Sequence, residues 1–193
     1  MRSLIMICRV KMRPALLKVG VSLLLLPIPC LSQNTVTQTL NATIVPLGGL
    51  FMQSTPLALT RTSTFAGFIG TMTLSYRART RQGSGQGTIT VKATSDFTPT
   101  GGPSIASPPS AADKFTYTCS GATLGVACSG IQTVSTTAST TVVSLGASAC
   151  TGGGAPCSTA NPNSANVTFI LTDDSKYKTG SYSATLTWTI SAS

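Results

Sequence analysis

The sequence contains no histidine and no glutamate, and its acidic side chains are four aspartates: Asp96, Asp113, Asp173 and Asp174. General acid and base catalysis depends mainly on histidine, glutamate and aspartate, so a Ser-His-Asp or Cys-His site is excluded within this chain. Zinc and copper sites built on histidine are excluded for the same reason. Charged residues make up 9% of the sequence, against roughly 25% in ordinary soluble domains. We therefore expect a protein that is not an enzyme and uses no cofactor.

Asp173 and Asp174 are the one adjacent pair of acids. Calcium requires six or more oxygen ligands, and no Asp-x-Asp loop accompanies the pair. Neighbouring side chains in a strand also point to opposite faces, which does not suit two carboxylates that flank a sugar. The pair is predicted to cap a turn, and we expect no metal site.

The first 32 residues differ in composition from the rest. Five Lys and Arg residues precede an apolar run that begins at Val19, and the small residues Cys30 and Ser32 stand just before Gln33. This order is typical of a secretory signal peptide. The apolar run, about 13 residues long, is shorter than the ~20 that a membrane-spanning helix needs. We expect cleavage near Ser32–Gln33, one domain over residues 33–193, no stable transmembrane anchor, and residence in the periplasm, at the cell surface or outside the cell.

Removal of residues 1–32 would leave eight Lys and Arg against four Asp. Arg77, Arg79 and Arg81 form the basic cluster of this remainder, and their spacing places them on one face of a strand. Two interpretations stay open: a site for an acidic polysaccharide or lipid headgroup, or a solubilising strip on an exposed strand. Aromatic residues for base stacking are sparse, and we expect no nucleic-acid partner.

Four cysteines follow the signal segment: Cys119, Cys128, Cys150 and Cys157. An even number in an exported chain indicates disulfides, for which three pairings are possible. The local pairs Cys119–Cys128 and Cys150–Cys157 close the shortest loops and are favoured. Zinc would require shorter spacings than these.

Alternation of apolar and small polar residues with period two dominates residues 33–193, of which 32 are Thr and 21 are Ser. Threonine suits half-exposed strands, and no segment shows helical periodicity. The Gly-rich segment 82–87 predicts a hairpin between the strands 64–80 and 88–94. The fold prediction is an all-β, Ig-like or pilin-like antiparallel sandwich of seven to nine strands. The predicted strands are 35–45, 64–80, 88–94, 114–119, 166–172 and 181–191, with a weak strand region at 50–60 and one or two strands within 131–145.

The two end segments carry further information. Gly180 and Tyr182 precede an alternating apolar series that contains Leu186, Trp188 and Ile190 and is predicted to face the core. This ending resembles the final strand of secreted bacterial pilin-like domains of the spore-coat-U and chaperone–usher type. The early segment 35–45 resembles their N-terminal donor strand, with four residues on one side: Val36, Leu40, Ala42 and Ile44.

The resemblance implies a sandwich that is completed by a strand from a neighbouring subunit, and hence copies of this chain or related subunits as partners. On this basis we expect a structural or adhesive protein of the bacterial cell surface, such as a fimbrial or coat subunit. The alternative is a secreted monomeric module that binds a carbohydrate or another surface through loops 98–112 and 120–130.

Overall fold

The computed structural model describes residues 38–52, 56–61, 63–154 and 157–193. These residues form ten strands and one 3₁₀ turn, Ala111–Asp113, arranged as two antiparallel sheets. The predicted all-β sandwich is confirmed, with ten strands instead of seven to nine because three strands of two residues are too short to show alternation. The strands are β1 (Leu47–Phe51), β2 (Thr60–Arg61), β3 (Phe68–Arg79), β4 (Gly87–Ala93), β5 (Thr116–Ser120), β6 (Val126–Ala127), β7 (Gln132–Thr133), β8 (Thr140–Leu145), β9 (Asn163–Leu171) and β10 (Leu186–Ala192).

The first sheet has the order β1-β3-β9-β5-β7, and β2 also pairs with β3. β9 pairs with residues 68–76 of β3, so β1 and β2 occupy the opposite edge of that strand. β1 pairs with residues 75–79 and β2 with residues 68–69. The two short strands therefore follow one edge in the same direction, with residues 52–59 between them.

The second sheet has the order β10-β4-β8-β6, with a bulge in the β4–β8 pairing between Ile89 and Thr90. β10 pairs with β4 over its whole length, from Leu186 opposite Ala93 to Ala192 opposite Gly87. The strand that ends the sequence thus lies at an edge of this sheet.

The predicted hairpin between 64–80 and 88–94 is wrong. β3 belongs to the first sheet and β4 to the second, so the Gly-rich connection carries the chain from one sheet to the other. Alternation shows which side of a strand is apolar, but two such strands can either pair in one sheet or face each other across a core. The connection after Arg79 is long enough for the second arrangement.

The predicted strand 35–45 is also wrong for the part that the structure describes. Residues 38–46 form no strand, and the first strand begins at Leu47. Leu40 and Ile44 are 86% and 73% exposed, and Ala42 is exposed as well. Val36 lies outside the described residues. Residues 42–193 form one compact unit, and residues 38–41 belong to another.

The core lies between the inner faces of the two sheets, where the apolar side chains of β3, β4, β8 and β9 are almost fully buried. Phe169 of β9 is at its centre, with ring centroids 5.3 Å from Phe115, 5.8 Å from Tyr117 and 6.3 Å from Trp188. Burial of rings of this size removes much apolar surface from water and dominates the stability of such a core.

Disulfides join Cys119 to Cys128 and Cys150 to Cys157, the local pairs that the sequence favoured. Cys119 lies in β5 of the first sheet and Cys128 directly follows β6 of the second, so this bond links the two sheets. Disulfides persist in oxidising compartments, and both bonds are compatible with an extracytoplasmic protein.

The predicted loop 98–112 is held by the carboxylate of Asp96. This carboxylate accepts hydrogen bonds from Ser104 Oγ (2.6 Å) and from the N–H groups of Phe97 (2.8 Å), Ile105 (2.6 Å) and Ala106 (3.4 Å). Burial opposes ionisation of Asp96, but these hydrogen bonds together outweigh it and hold the pKa of Asp96 below its usual value. The Asp96 side chain thus ties the loop to the end of β4.

Candidate functional site: an open strand edge

The apolar face of β10 is less well covered than that of its neighbour β4. Ile89, Val91 and Ala93 of β4 are 0–1% exposed. Leu186, Trp188 and Ile190 of β10 face the same core but are only half-buried. The predicted core position of Trp188 is therefore correct in direction, with the ring edge-on to Phe169. The core is incompletely closed along β10.

The backbone of β10 has a free edge. In an antiparallel pair, the residues of a strand alternately direct their N–H and C=O groups to one neighbour and away from it. Thr185 O accepts from Thr94 N–H, and Ser193 N–H donates to Gln86 O, which fixes this alternation along the strand. The even-numbered residues between them point their backbone groups away from β4, where the described residues contribute no strand. These residues are Leu186, Trp188, Ile190 and Ala192.

β1 approaches β10 from the first sheet. Gly48 faces inward beside Ala78, and a Cβ atom at Gly48 would lie 2.8 Å from Ile190 Cγ1. Only the absence of a side chain permits this approach. Leu50, two residues further on, packs half-buried against the core. β1 and β10 are edge strands of different sheets and meet at the same side of the sandwich.

The segment before β1 is anchored by an arginine. Arg79 Nε and Nη2 donate to Val45 O at 2.9 and 2.7 Å. Ile44, next to this anchor, is exposed. A segment with exposed apolar side chains thus leads into the first sheet at a fixed point.

The predicted basic cluster is placed on the outer surface. Arg77 and Arg79 are exposed residues of β3, and Arg81 lies beyond its end. Arg77 donates to Asn161 Oδ1 at 2.7 Å, and its guanidinium lies 5.0 Å from the Phe51 ring centroid. Two of the three arginines therefore have structural contacts. Arg81 lines an open cleft of about 880 Å³ together with Arg79, Gln82 and Ser148.

Asp173 and Asp174 contact different residues. Asp174 Oδ1 accepts from Lys176 N–H at 2.8 Å, which is the predicted turn cap. Asp173 forms an ion pair of 2.7 Å with Arg61 of β2. Within the described ranges no group of three His, Cys, Asp or Glu side chains is close enough to hold a metal ion.

A tyrosine lies near these carboxylates. The Tyr177 hydroxyl and Asp113 Oδ2 are buried without a hydrogen-bond partner among the described atoms. Burial first, and then the charges of Asp113, Asp174 and Asp173, raise the pKa of Tyr177 to about 12. The group is therefore held neutral and supplies no proton at physiological pH.

The open edge of β10 and the anchoring role of Arg79 are the site features that sequence reasoning missed. The order of strands in a sheet depends on long-range pairing, which alternation does not encode. The sequence indicated Arg79 as a charged residue on the outer face of a strand. It did not indicate the hydrogen-bond acceptor of Arg79, which is the backbone carbonyl of Val45, 34 positions away.

No protein-family model, no curated protein and no solved structure matched this chain. The similarity to pilin-like domains stays a prediction that comes from two segments of the sequence. Across the described residues, none of the helical structure is long and apolar enough to cross a membrane.

Proposed function

We propose that this protein is a non-enzymatic structural or adhesive subunit of the bacterial cell surface, which assembles with further copies by addition of a β-strand. The receiving surface is the free edge of β10, and the added strand is the segment around Leu40, Ala42 and Ile44 of another copy. Its export by a cleaved signal peptide near Ser32–Gln33 belongs to the same proposal.

The observation that carries this proposal is the coincidence of two incomplete features at β10. Its outward backbone groups lack a strand neighbour in the described part of the chain, and its inward side chains are half-buried. An added strand would satisfy both at once, because its backbone pairs with the edge while alternate side chains enter the core. An exposed edge of this kind otherwise promotes uncontrolled association.

The segment before β1 has the properties that such a strand requires. Residues 38–46 are not engaged in a sheet, and the apolar side chains of Leu40 and Ile44 face solvent. Because the segment and the receiving edge are different surfaces of one subunit, repetition of the contact is head-to-tail and gives an open fibre.

The test is a concentration series of residues 33–193 by size-exclusion chromatography and electron microscopy. Ile44→Asp should abolish assembly because a carboxylate cannot enter the incompletely closed core along Leu186, Trp188 and Ile190, which we call the groove. Thr43→Asp is the matched control, since it adds the same charge to the neighbouring exposed residue, which would point to the opposite side of the added strand. Equal assembly of both variants, or a wild-type chain that stays monomeric at every concentration, would refute the proposal.

A second candidate function is binding of a carboxylated polysaccharide at the cleft that contains Arg79 and Arg81. Three arginines lie at this end of the sandwich, whereas the four aspartates follow or precede strand ends at the other. Arg81→Gln should weaken binding to polygalacturonate and reduce its salt dependence. Lys92→Gln, which removes one charge from the second sheet, should leave binding unchanged. Equal binding by both variants would remove this candidate.

A further inference from the structure

Residues 57–59 cover a gap in the inner face of β3. Gly70 lies on that face and is buried. A Cβ atom at this position would come within 2.6 Å of Leu59 Cδ2, 3.0 Å of Ala58 O and 3.3 Å of Leu57 Cγ. The close approach of residues 57–59, which we call the strap, therefore requires a glycine in the middle of an otherwise regular strand.

The strap lies at the level of the groove that faces Trp188. Gly70 pairs with Phe169, and Phe169 contacts Trp188 of β10 edge to face. Directly opposite residues of an antiparallel pair face the same side, so the strap over Gly70 and Trp188 against Phe169 both lie on the core side of this pair. Leu59 is half-buried against the core, while Leu57 is 38% exposed. The strap is a thin cover with one side in contact with the core and the other in solvent.

The residues that follow the strap attach it to the first sheet. β2 contributes two residues to the sheet, Thr60 and Arg61, which pair with Ile69 and Phe68. The guanidinium of Arg61 forms the 2.7 Å ion pair with Asp173 and lies 5.7 Å from the Phe68 ring centroid. The Arg61 side chain is 47% exposed, so this attachment is weak and screened by salt.

We propose that the strap occupies, within one copy, the apolar space that a strand from a second copy enters, and that strand addition displaces it. The inference rests on the proposed function, since it names the part of the groove that the incoming strand must clear. A half-buried leucine, the two-residue pairing of β2 and an exposed ion pair hold the strap, and these contacts can be released without disruption of the buried core. The strap shields the open core of a single copy from unwanted partners and so sets the rate of assembly.

The experiment compares Leu59→Ala, Arg61→Gln and the wild type as residues 33–193, at a concentration where each is monomeric. Trp188 is the sole tryptophan of the chain, and its quenching by acrylamide reports whether the groove is covered. The association rate of a synthetic peptide with the sequence of residues 35–45 reports strand addition. Lys176→Gln is the matched control, because it removes one positive charge from the separate ion pair with Asp174.

We expect Leu59→Ala and Arg61→Gln to increase acrylamide quenching of Trp188. Arg61→Gln should accelerate peptide association about two- to fivefold, the range for loss of an exposed ion pair. Leu59→Ala should accelerate it about tenfold, since a half-buried leucine contributes more than an exposed ion pair. The control should match the wild type. Because Arg61 is exposed, that variant tests the proposal even if Leu59→Ala does not fold.

Unchanged quenching and unchanged rates in both variants would overturn the strap inference while strand addition stands. Increased quenching without peptide binding to any variant, the wild type included, would overturn strand addition itself and with it the proposed function. A rate increase in Lys176→Gln equal to that in Arg61→Gln would assign the effect to net charge and would also overturn the inference.

Discussion

Gly48 of β1 and Ile190 of β10 meet across the sandwich so closely that a methyl group on Gly48 would lie 2.8 Å from Ile190 Cγ1. We predict that Gly48→Ala lowers the free energy of unfolding by about 1–3 kcal/mol, the usual cost of overpacking. Gly49→Ala is the control, because the nearest atoms there belong to Phe51 at 3.8 Å. Its unfolding free energy should be unchanged or slightly higher. Equal midpoints for the two variants in urea denaturation would contradict the packing of β1 on β10.

The Cys119–Cys128 bond should contribute to stability because it links strands of different sheets. Replacement of both cysteines by alanine should cost about 2–3 kcal/mol on the chain-entropy estimate for a loop of this length. The Cys150–Cys157 bond closes a loop of similar size and provides the comparison. Urea denaturation of the two double variants measures both losses, and an unchanged midpoint for the first variant would contradict its role.

Asp96 should make stability depend on pH on the acidic side. Its pKa is held below the ordinary value of 3.8, so its contribution is complete above that value and is lost as the pH falls through the folded-state pKa. Asp96→Asn should lose about 1–2 kcal/mol at neutral pH, because the amide cannot accept all of these hydrogen bonds. The difference from the wild type should shrink as urea denaturation is repeated towards about pH 2. A difference that is constant over this range would refute the role of the carboxylate.

Tyr177 should make stability depend on pH on the alkaline side. Its pKa is raised from 10.0 to about 12, so the folded state disfavours the ionised form, and stability is constant below pH 10 and falls as the pH rises from there through the folded-state value. Tyr177→Phe should leave stability at neutral pH unchanged or higher, since the buried hydroxyl has no partner among the described atoms. Thermal unfolding of the variant should decline less between about pH 9 and 11 than that of the wild type. Parallel declines would contradict the environment assigned to this hydroxyl.

The fold class followed from the sequence because apolar alternation reports directly which side of a strand faces the core. The segments predicted at 88–94 and 181–191 correspond to β4 and β10, with errors of one to five residues at their ends. Over residues 35–45, by contrast, the same reasoning predicted a strand that the described residues do not form. That segment alternates apart from Gln38, but alternation measures amphipathicity and does not establish that a segment pairs with a strand of the same chain.

The sheet assignment of β3 and β4 could not be obtained from local pattern, because a Gly-rich connection permits either a hairpin or a crossover. One feature of the sequence indicates the strap. Gly70 interrupts a regular series of larger side chains, and an isolated glycine inside a strand marks a close approach of another part of the chain. The identity of the approaching segment depends on tertiary packing and became visible only in the structure.

The most direct test of strand addition at β10 is residue-resolved hydrogen exchange of this strand by NMR, with and without the peptide of residues 35–45. In the free protein the N–H groups of Thr187 and Thr189 should be protected by β4, while those of Trp188 and Ile190 exchange rapidly. The account predicts that saturation with peptide protects Trp188 and Ile190 as strongly as their neighbours, which removes the alternation. Alternating protection that persists in the saturated sample would contradict it.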